Sequence, residues 1–369
     1  MLPHGKKLIN RIFTNKSFAP SELPTIEVDW ATILDAEKIA IGAFSPLEGF
    51  MCNEDYICTI YKERLANDIA WTIPVILAPS GKENSKVIRE LKEGDDVTLG
   101  YEGKSYAVIH LEEKIRYNQK ELAIQVYGTM DSAHPNVNDI YKMGEIMLGG
   151  KIDLTQRVSQ ESTPLETQET FKKRHWKTIA GYQTRNPPHM VHEYLQRNVM
   201  EKVDGLFIHP VIGKLKSDDF SPEAIVESYN FLIDNYYPKN RVYLDTLSIS
   251  MRYAGPKAAI FLAIIRKNYG CTHFVIGRDM AGIKGLYEPY RAHEMFDEMD
   301  LGIEPIKFKE AFYCKRCDLI VTPRTCGHNN DSHIGMSMSK LKEIIRKGVV
   351  PSEKTMRPEI ARILMKYNG

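Results

Sequence analysis

The chain has 369 residues, of which 43% are hydrophobic and 26% charged, with a formal net charge of +1 at pH 7. This length favours two or three domains, and the composition is ordinary for a soluble globular protein. The near-neutral charge makes a general polyanion-binding surface unnecessary, although a local basic site is compatible with it. No apolar run is long enough to span a bilayer, so no membrane segment is expected.

The segment from residue 1 to about 165 predicts a β-rich domain. Residues 71–79, 95–115 and 122–128 are rich in β-branched or aromatic side chains and are separated by turn formers. Residues 101–106, YEGKSY, are typical of a hairpin turn. The pattern indicates a small β-domain or barrel.

After residue 165 short apolar runs alternate with helical patterns. Strands are predicted at TIAGYQT, GLFIHPVIG, NRVYLDTLSI and THFVIGRD, with helices between them. This alternation predicts βαβ units and a parallel sheet. Ligands of such sheets bind beyond the carboxyl ends of the strands. Two polar motifs, QTRNPPHMVH (residues 183–192) and GRDMAG (277–282), follow predicted strands, so one active site is expected there.

The first motif combines side chains that bind oxyanions. Arg185 offers a planar fork of donors, and Gln183, Thr184 and Asn186 add amides and a hydroxyl. His189 and His192 are three residues apart and would share a helix face, with Pro187 and Pro188 tolerated in a first turn. The alternative interpretation is purely structural: a capped helix that carries two exposed histidines. A zinc-protease helix needs His-Glu-x-x-His, an order that the chain lacks here.

The second motif is weaker on its own. Gly277, Ala281 and Gly282 are small enough to admit a phosphate or a base close to the backbone, whereas Arg278 and Asp279 could be a surface ion pair. No GxxxxGK[ST] phosphate loop occurs in the sequence.

Three of the six cysteines lie close together near the C-terminus. Cys314, Cys317 and Cys326 with one histidine would complete a tetrahedral zinc site. We prefer His333 as the fourth ligand, with His328 as the alternative, because one intervening residue strains joint chelation by Cys326 and His328. A metal-free thiol loop and a redox C-x-x-C pair are the competing interpretations.

Several blocks together resemble the ATP sulfurylase (sulfate adenylyltransferase) family. They are GAFSPLEGFM, QTRNPPHMVHEYLQR, HPVIGKLKSDD, MRYAGPKAAIFLAIIRKNYGCTHFVIGRD, EAFYCKRC and MRPEIARIL. The resemblance is to the single-function bacterial and archaeal type, without a fused adenylylsulfate kinase. It implies an α/β multidomain protein with a PUA-like β-rich domain (1–165), a Rossmann-like HxxH nucleotidyltransferase domain (166–310) and a small C-terminal domain with the zinc site (311–369).

The resemblance also implies residue roles. Sulfate would be held by Gln183 and Arg185 with the backbone N–H of Ala281, and Thr184, Arg185 and Asn186 would form the catalytic set. The residues expected to bind ATP are Gln183, Thr184, Arg185, Asn186, His189, His192, Gly277, Arg278, Asp279, Met280 and Val321. Met280 departs from the family, which usually has a histidine there, and a thioether cannot donate a hydrogen bond.

The implied reaction is transfer of the adenylyl group of ATP to sulfate, with release of pyrophosphate. Mg²⁺ would accompany ATP, and the zinc would be structural. We expect a cytoplasmic homodimer that binds neither nucleic acid nor membranes. The basic N-terminus lacks the apolar core of a cleaved secretory signal. Two alternatives stay open at this point: adenylyl transfer to another small anion, and a non-catalytic PUA-type RNA-binding or regulatory protein.

Overall fold

The computed structural model describes residues 2–13, 22–213, 219–283 and 285–367. Residues 214–218, which belong to the resembling block HPVIGKLKSDD, lie outside this description. The strands are β1 Thr25–Glu27, β2 Gly49–Phe50, β3 Asp96–Tyr101, β4 Lys104–Arg116, β5 Ile146–Leu154, β6 Ile179–Thr184, β7 Gly205–Pro210, β8 Val242–Leu244, β9 His273–Ile276, β10 Glu304–Lys307, β11 Phe312–Cys314, β12 Leu319–Val321 and β13 His333–Ile334.

The helices lie between and after these strands in the chain. They are α1 Trp30–Ala40, α2 Asn53–Lys62, α3 Lys82–Glu90, α4 Gln119–Tyr127, α5 Pro135–Ile140, α6 Pro164–Lys173, α7 Met190–Met200, α8 Pro222–Tyr236, α9 Pro256–Asn268, α10 Arg291–Glu298, α11 Met338–Arg346 and α12 Pro358–Lys366. Among the described residues, none of these helices has the length and apolar character needed to cross a bilayer.

The chain forms two compact units. The first comprises Met1–Glu169, Ser248–Gly270 and Asp279–Ile303, and the second comprises Thr170–Leu247, Cys271–Arg278 and Glu304–Gly369. The first unit contains a five-stranded sheet in the order β1-β3-β4-β5-β2. Its strands are antiparallel except for the parallel pair β1 and β3. The β-rich character predicted for the N-terminal segment is confirmed.

The predicted hairpin turn joins β3 to β4. Glu102 and Gly103 both have positive φ, 50° and 73°, as the turns that match the twist of two-residue hairpins require. Residues 71–79, by contrast, form no strand. Pro74 and Pro79 lack the N–H groups that a ladder needs, so the segment has no regular strand pairing, although almost all of its side chains are buried.

The strand expected at residues 122–128 was a wrong prediction, because this stretch is part of α4. Asn118 caps the helix by accepting from the backbone N–H groups of Lys120 and Glu121. Gly128 ends it in the left-handed conformation. Two local capping signals therefore outweigh the β-branched composition.

The second unit has the parallel sheet that the alternating pattern predicted. Its order is β10-β9-β6-β7-β8, and every neighbouring pair is parallel. The helix α8 begins after Ser221, whose hydroxyl accepts from the N–H of Ala224 at 3.2 Å. The helices α11 and α12 lie near the C-terminus, and their apolar side chains join the core formed by β6, β7 and α8.

Candidate functional site

The first polar motif leaves the carboxyl end of β6, a central strand of the parallel sheet. Gln183 and Thr184 are the last residues of β6 and pair with His209 and Pro210 of β7. The Thr184 side chain is buried, and its hydroxyl accepts from the N–H of Asn186 and donates to the Asn186 carbonyl, both at 3.1 Å. This local bond pattern turns the chain sharply and sets the direction in which Arg185 leaves the strand.

The helix α7 begins later than expected. Pro187 and Pro188 precede the helix instead of occupying its first turn, and His189 is the N-cap residue with extended φ and ψ of −134° and 174°. The N–H of Met190 donates to the carbonyl of Thr355 at 2.9 Å. The C-terminal segment thus satisfies one of the backbone donors that a helix leaves open at its start.

His189 and His192 are stacked, with ring centroids 3.8 Å apart and planes tilted by 19°. Burial lowers the pKa of His189 well below its usual value, and desolvation also lowers the pKa of His192 to about 4, although part of that ring stays accessible. Both imidazoles are therefore neutral at pH 7. Nδ1 of His189 is buried and finds no hydrogen-bond partner among the described residues.

Arg185 is held at one edge by an acidic side chain. Its Nη1 lies 3.1 Å from Oδ2 of Asp219, and its side chain keeps 28% of its surface exposed, against 3% for Asp219. A guanidinium has donors along more than one edge, so such a pair is compatible with binding an oxyanion as well.

An ion pair from the C-terminal segment supports the back of α7. Both oxygens of the buried Glu193 accept from Arg357, at 2.7 and 2.9 Å, and the same guanidinium lies 3.5 Å from the ring centroid of Tyr236. Sequence reasoning missed Glu193, Arg357 and Asp219. The buried acidic residue one position after His192 was the only local signal for this support.

The second motif divides between the two compact units. In the second unit, Gly277 and Arg278 follow β9, and Arg278 pairs with Glu310 at 2.5 Å. In the first unit, Asp279 and Ala281 have positive φ values of 51° and 55°. Side chains other than glycine rarely adopt this conformation, and such strained residues often cluster where a backbone group must face a ligand.

A cluster of sulfur and nitrogen atoms lies on the small sheet formed by β11, β12 and β13. Nδ1 of His328 lies 3.4, 3.2 and 3.6 Å from the sulfur atoms of Cys314, Cys317 and Cys326. The ligand atoms of these four residues all lie within 4.8 Å of one another. Burial raises the pKa of the Cys314 thiol, but the backbone N–H groups of Cys317 and Arg316 outweigh this and hold it below its usual value.

The structure corrects the preference for His333 as the fourth member. The His333 ring stacks on Phe312 at 3.9 Å, and Nε2 reaches only Cys326 among the three sulfur atoms, at 3.5 Å. Cys326 and His328 flank Gly327 outside any helix or strand, and glycine adopts backbone conformations that other residues rarely reach. The single intervening residue therefore brings His328 to the cluster. Val321 belongs to a small core with Phe312 and Cys314 that packs against the cysteines of the cluster.

The buried histidine pair predicts a pH-dependent stability. Between pH 6.5, the usual pKa of histidine, and about 4, the unfolded chain binds a proton at His192 that the folded chain does not. The free energy of unfolding therefore falls as the pH drops through this window, by up to about 1.4 kcal/mol per pH unit for each such group. We expect His192→Gln to reduce this loss, as measured by urea unfolding at several pH values.

The exposed His175 provides the control for that experiment. Its φ is positive, which asparagine tolerates, so His175→Asn should leave the pH dependence as it is in the wild-type chain. An unchanged pH dependence in His192→Gln would show that this ring is not kept neutral by the fold.

Comparisons with known proteins agree with this arrangement. A family model described as ATP-sulfurylase matches residues 159–367, and one described as a PUA-like domain matches residues 1–157. A hexameric APS kinase from Thiobacillus denitrificans has a TM-score of 0.74 at 21% identity, covering 99% of this chain and 68% of that chain. This likeness concerns the fold alone.

Similarity to curated proteins extends over the full length. A sulfate adenylyltransferase of Staphylothermus marinus is 46% identical, covering 99% of this chain and 97% of that protein. The corresponding protein of Halothermothrix orenii is 41% identical, with 98% of each chain covered. A sulfate adenylyltransferase of Pyrococcus abyssi is 40% identical, covering 100% of this chain and 98% of that protein. The chain therefore belongs to the ATP-sulfurylase family.

Proposed function

We propose that the chain is a sulfate adenylyltransferase, which converts ATP and sulfate to adenosine 5′-phosphosulfate and pyrophosphate. The observation that carries this proposal is the QTRNPPHMVH motif at the carboxyl end of β6, in a chain similar over its whole length to sulfate adenylyltransferases. This edge of a parallel sheet is where ligands bind. It carries a guanidinium, a turn held by a threonine hydroxyl, and two neutral imidazoles.

The sulfate ion is assigned to Gln183, Arg185 and the backbone N–H of Ala281. The left-handed φ of Ala281 supports this assignment, since a strained backbone is typical of ligand contacts. ATP is assigned to residues of both motifs, including the two side chains that also bind sulfate. They are Gln183, Thr184, Arg185, Asn186, His189, His192, Gly277, Arg278, Asp279 and Met280, with Val321 against the adenine.

The reaction requires no general base. A sulfate oxygen, already anionic at neutral pH, attacks the α-phosphorus of ATP, and the bond from that phosphorus to the oxygen bridging to the β-phosphorus breaks. The electron pair leaves with pyrophosphate. Catalysis is then positioning and neutralisation of charge in the transition state, and Thr184, Arg185 and Asn186 are the residues assigned to this task. Mg²⁺ enters with ATP as part of the substrate.

Neutral imidazoles fit the phosphate-binding role of the histidine pair. Two imidazolium ions whose centroids lie 3.8 Å apart would repel each other, and burial disfavours the charged form of each. A neutral ring still donates one N–H.

Zinc is assigned to Cys314, Cys317, Cys326 and His328. Three sulfur atoms and one imidazole nitrogen are the donor set of structural zinc sites, and their mutual distances are consistent with one shared ion. When bound, a fully ligated zinc would supply no open position for water and would act by holding the small sheet together.

Three further properties remain predictions. They are the domain boundaries 1–165, 166–310 and 311–369, assembly as a homodimer, and a cytoplasmic location. The placement of α11 and α12 in one core with α8 supports close association of the last two segments. Transfer to an acceptor other than sulfate and an RNA-binding role have no observation that favours them.

Pyrophosphate release by the purified chain tests the proposed function. With ATP and Mg²⁺, we expect release to require sulfate or a tetrahedral dianion of similar shape such as molybdate. Carboxylates and monoanions should not replace it. Release that depends on a carboxylate would instead favour the alternative acceptor.

The departure at Met280 predicts a modest effect. Met280 is half-buried beside Ala281 in the strained turn, and its backbone can contact ATP whichever side chain it carries. We expect Met280→His to leave kcat within about threefold and to change the KM for ATP slightly or lower it. A large loss of activity would show that the ATP pocket depends on the thioether.

A further inference from the structure

We propose that Asp219 is a positioning residue for Arg185 and that Lys342, from the C-terminal helix α11, holds Asp219 in place. The inference rests on the proposed function, in which Arg185 binds the sulfate ion. It assigns to the C-terminal segment a part in sulfate recognition that is separate from the zinc cluster.

The three side chains form one chain of contacts. Oδ2 of Asp219 lies 3.1 Å from Nη1 of Arg185, and Oδ1 lies 2.6 Å from Nζ of Lys342. The exposed fractions of the side chains are 3% for Asp219, 10% for Lys342 and 28% for Arg185. Each carboxylate oxygen therefore bonds a different cation, and accessibility rises towards Arg185.

Burial makes this arrangement rigid. A carboxylate that is shielded from water is costly unless both of its oxygens find donors, so Asp219 cannot rotate without breaking a charge-assisted bond. Lys342 is itself fixed, since its neighbour Leu341 lies in the same core as Phe220, and its own ammonium lies 6.0 Å from the Phe220 ring. The guanidinium is thus oriented by a carboxylate that does not move.

The charges of the cluster also favour an anion. Two cations and one carboxylate leave a net charge of +1 on the three side chains, and the most accessible of them is Arg185. Without Lys342 the remaining pair would be neutral, and Asp219 would compete more strongly with sulfate for the guanidinium. Lys342 therefore raises sulfate affinity, whereas Asp219 sets the geometry on which turnover depends.

Asp219→Asn tests the positioning role in the full-length, metal-loaded protein. The amide keeps the shape of the side chain, but its NH₂ group must face either Arg185 or Lys342, both of which are donors. We expect kcat/KM for sulfate to fall about 100-fold, with the KM for ATP changed less than about threefold. In the double variant Asp219→Asn/Lys342→Met the amide oxygen can turn to Arg185, so kcat/KM for sulfate should recover to at least about a tenth of the wild-type value.

The chain offers a matched control at Asp153. This carboxylate also lies between two basic side chains, 2.8 Å from Nη2 of Arg11 and 2.9 Å from Nε2 of His110, within the region matched by the PUA-like family. Asp153→Asn applies the same change and should leave both KM values and kcat within about twofold of the wild type.

Three results would overturn the proposal. They are kinetics of Asp219→Asn within about threefold of the wild type, a rise in the KM for ATP equal to that for sulfate, and no recovery in the double variant. If Asp219→Asn does not fold, Lys342→Met decides: a rise of about 10-fold in the KM for sulfate supports the proposal, and an unchanged KM contradicts it. A wild-type chain without sulfate-dependent activity would instead refute the proposed function.

Discussion

Arg185→Lys should lower kcat for sulfate-dependent pyrophosphate release by about 100- to 1,000-fold, the cost typical of losing one donor to transition-state charge. A lysine ammonium can still pair with Asp219, so the charge at this edge is kept. It cannot direct a planar set of N–H donors to Asp219 and to an oxyanion together. Steady-state kinetics measures the loss, and thermal unfolding should show a midpoint close to that of the wild type.

Arg197 provides the control for this change. It lies on α7 in the same compact unit, is 47% exposed, and donates to the carbonyl of Tyr236 at 3.1 Å. Arg197→Lys should therefore leave kcat nearly unchanged. Near-normal turnover in Arg185→Lys would show that Arg185 does not contact the reacting groups.

Cys314→Ser should lower both the metal content and the stability of the protein. The wild-type chain is expected to hold one zinc, because three thiolates and one imidazole complete a tetrahedron. Cys314 is fully buried between β12 and β13, and a hydroxyl there is a poor zinc ligand. Loss of the ion should cost about 4 kcal/mol or more of folding free energy. Elemental analysis and thermal unfolding measure the two losses together.

Cys58→Ser is the matched change at a half-buried cysteine of α2, outside the cluster. It should retain zinc and most of the stability. Full stability in a zinc-free Cys314→Ser variant, with activity lost, would contradict a structural role for the metal.

The choice between the two histidines has its own test. His328→Ala should release zinc, because Nδ1 of His328 lies within 3.6 Å of all three sulfur atoms. His333→Ala should retain zinc and lose only the packing of its ring on Phe312. Loss of zinc in His333→Ala and its retention in His328→Ala would instead identify His333 as the fourth zinc ligand.

Local patterns predicted most of the elements that position the site. The parallel sheet followed from strands and helices that alternate after residue 165, and the polar motif was correctly expected at a strand end. Both signals arise from neighbouring residues. The errors were also local in origin: composition favoured a strand where Asn118 and Gly128 cap a helix, and simple spacing disfavoured His328.

The supporting contacts of the site could not be predicted in the same way. Asp219 meets Lys342 across 123 positions, and Glu193 meets Arg357 across 164. Only the packing of α11 and α12 into the core of the parallel sheet brings such residues together. A buried acidic residue beside a binding motif is a sign that a distant cation is needed, but its identity depends on the fold.

The central claim is that sulfate itself attacks the α-phosphorus of ATP in this site. Exchange of labelled pyrophosphate into ATP tests it most directly, since label returns to ATP only after the phosphorus–oxygen bond has broken. We predict exchange that requires sulfate, is absent when sulfate is omitted or replaced by a carboxylate, and is lost in Arg185→Lys. Exchange at the same rate without sulfate would demonstrate transfer of the adenylyl group to the protein itself and would contradict direct attack.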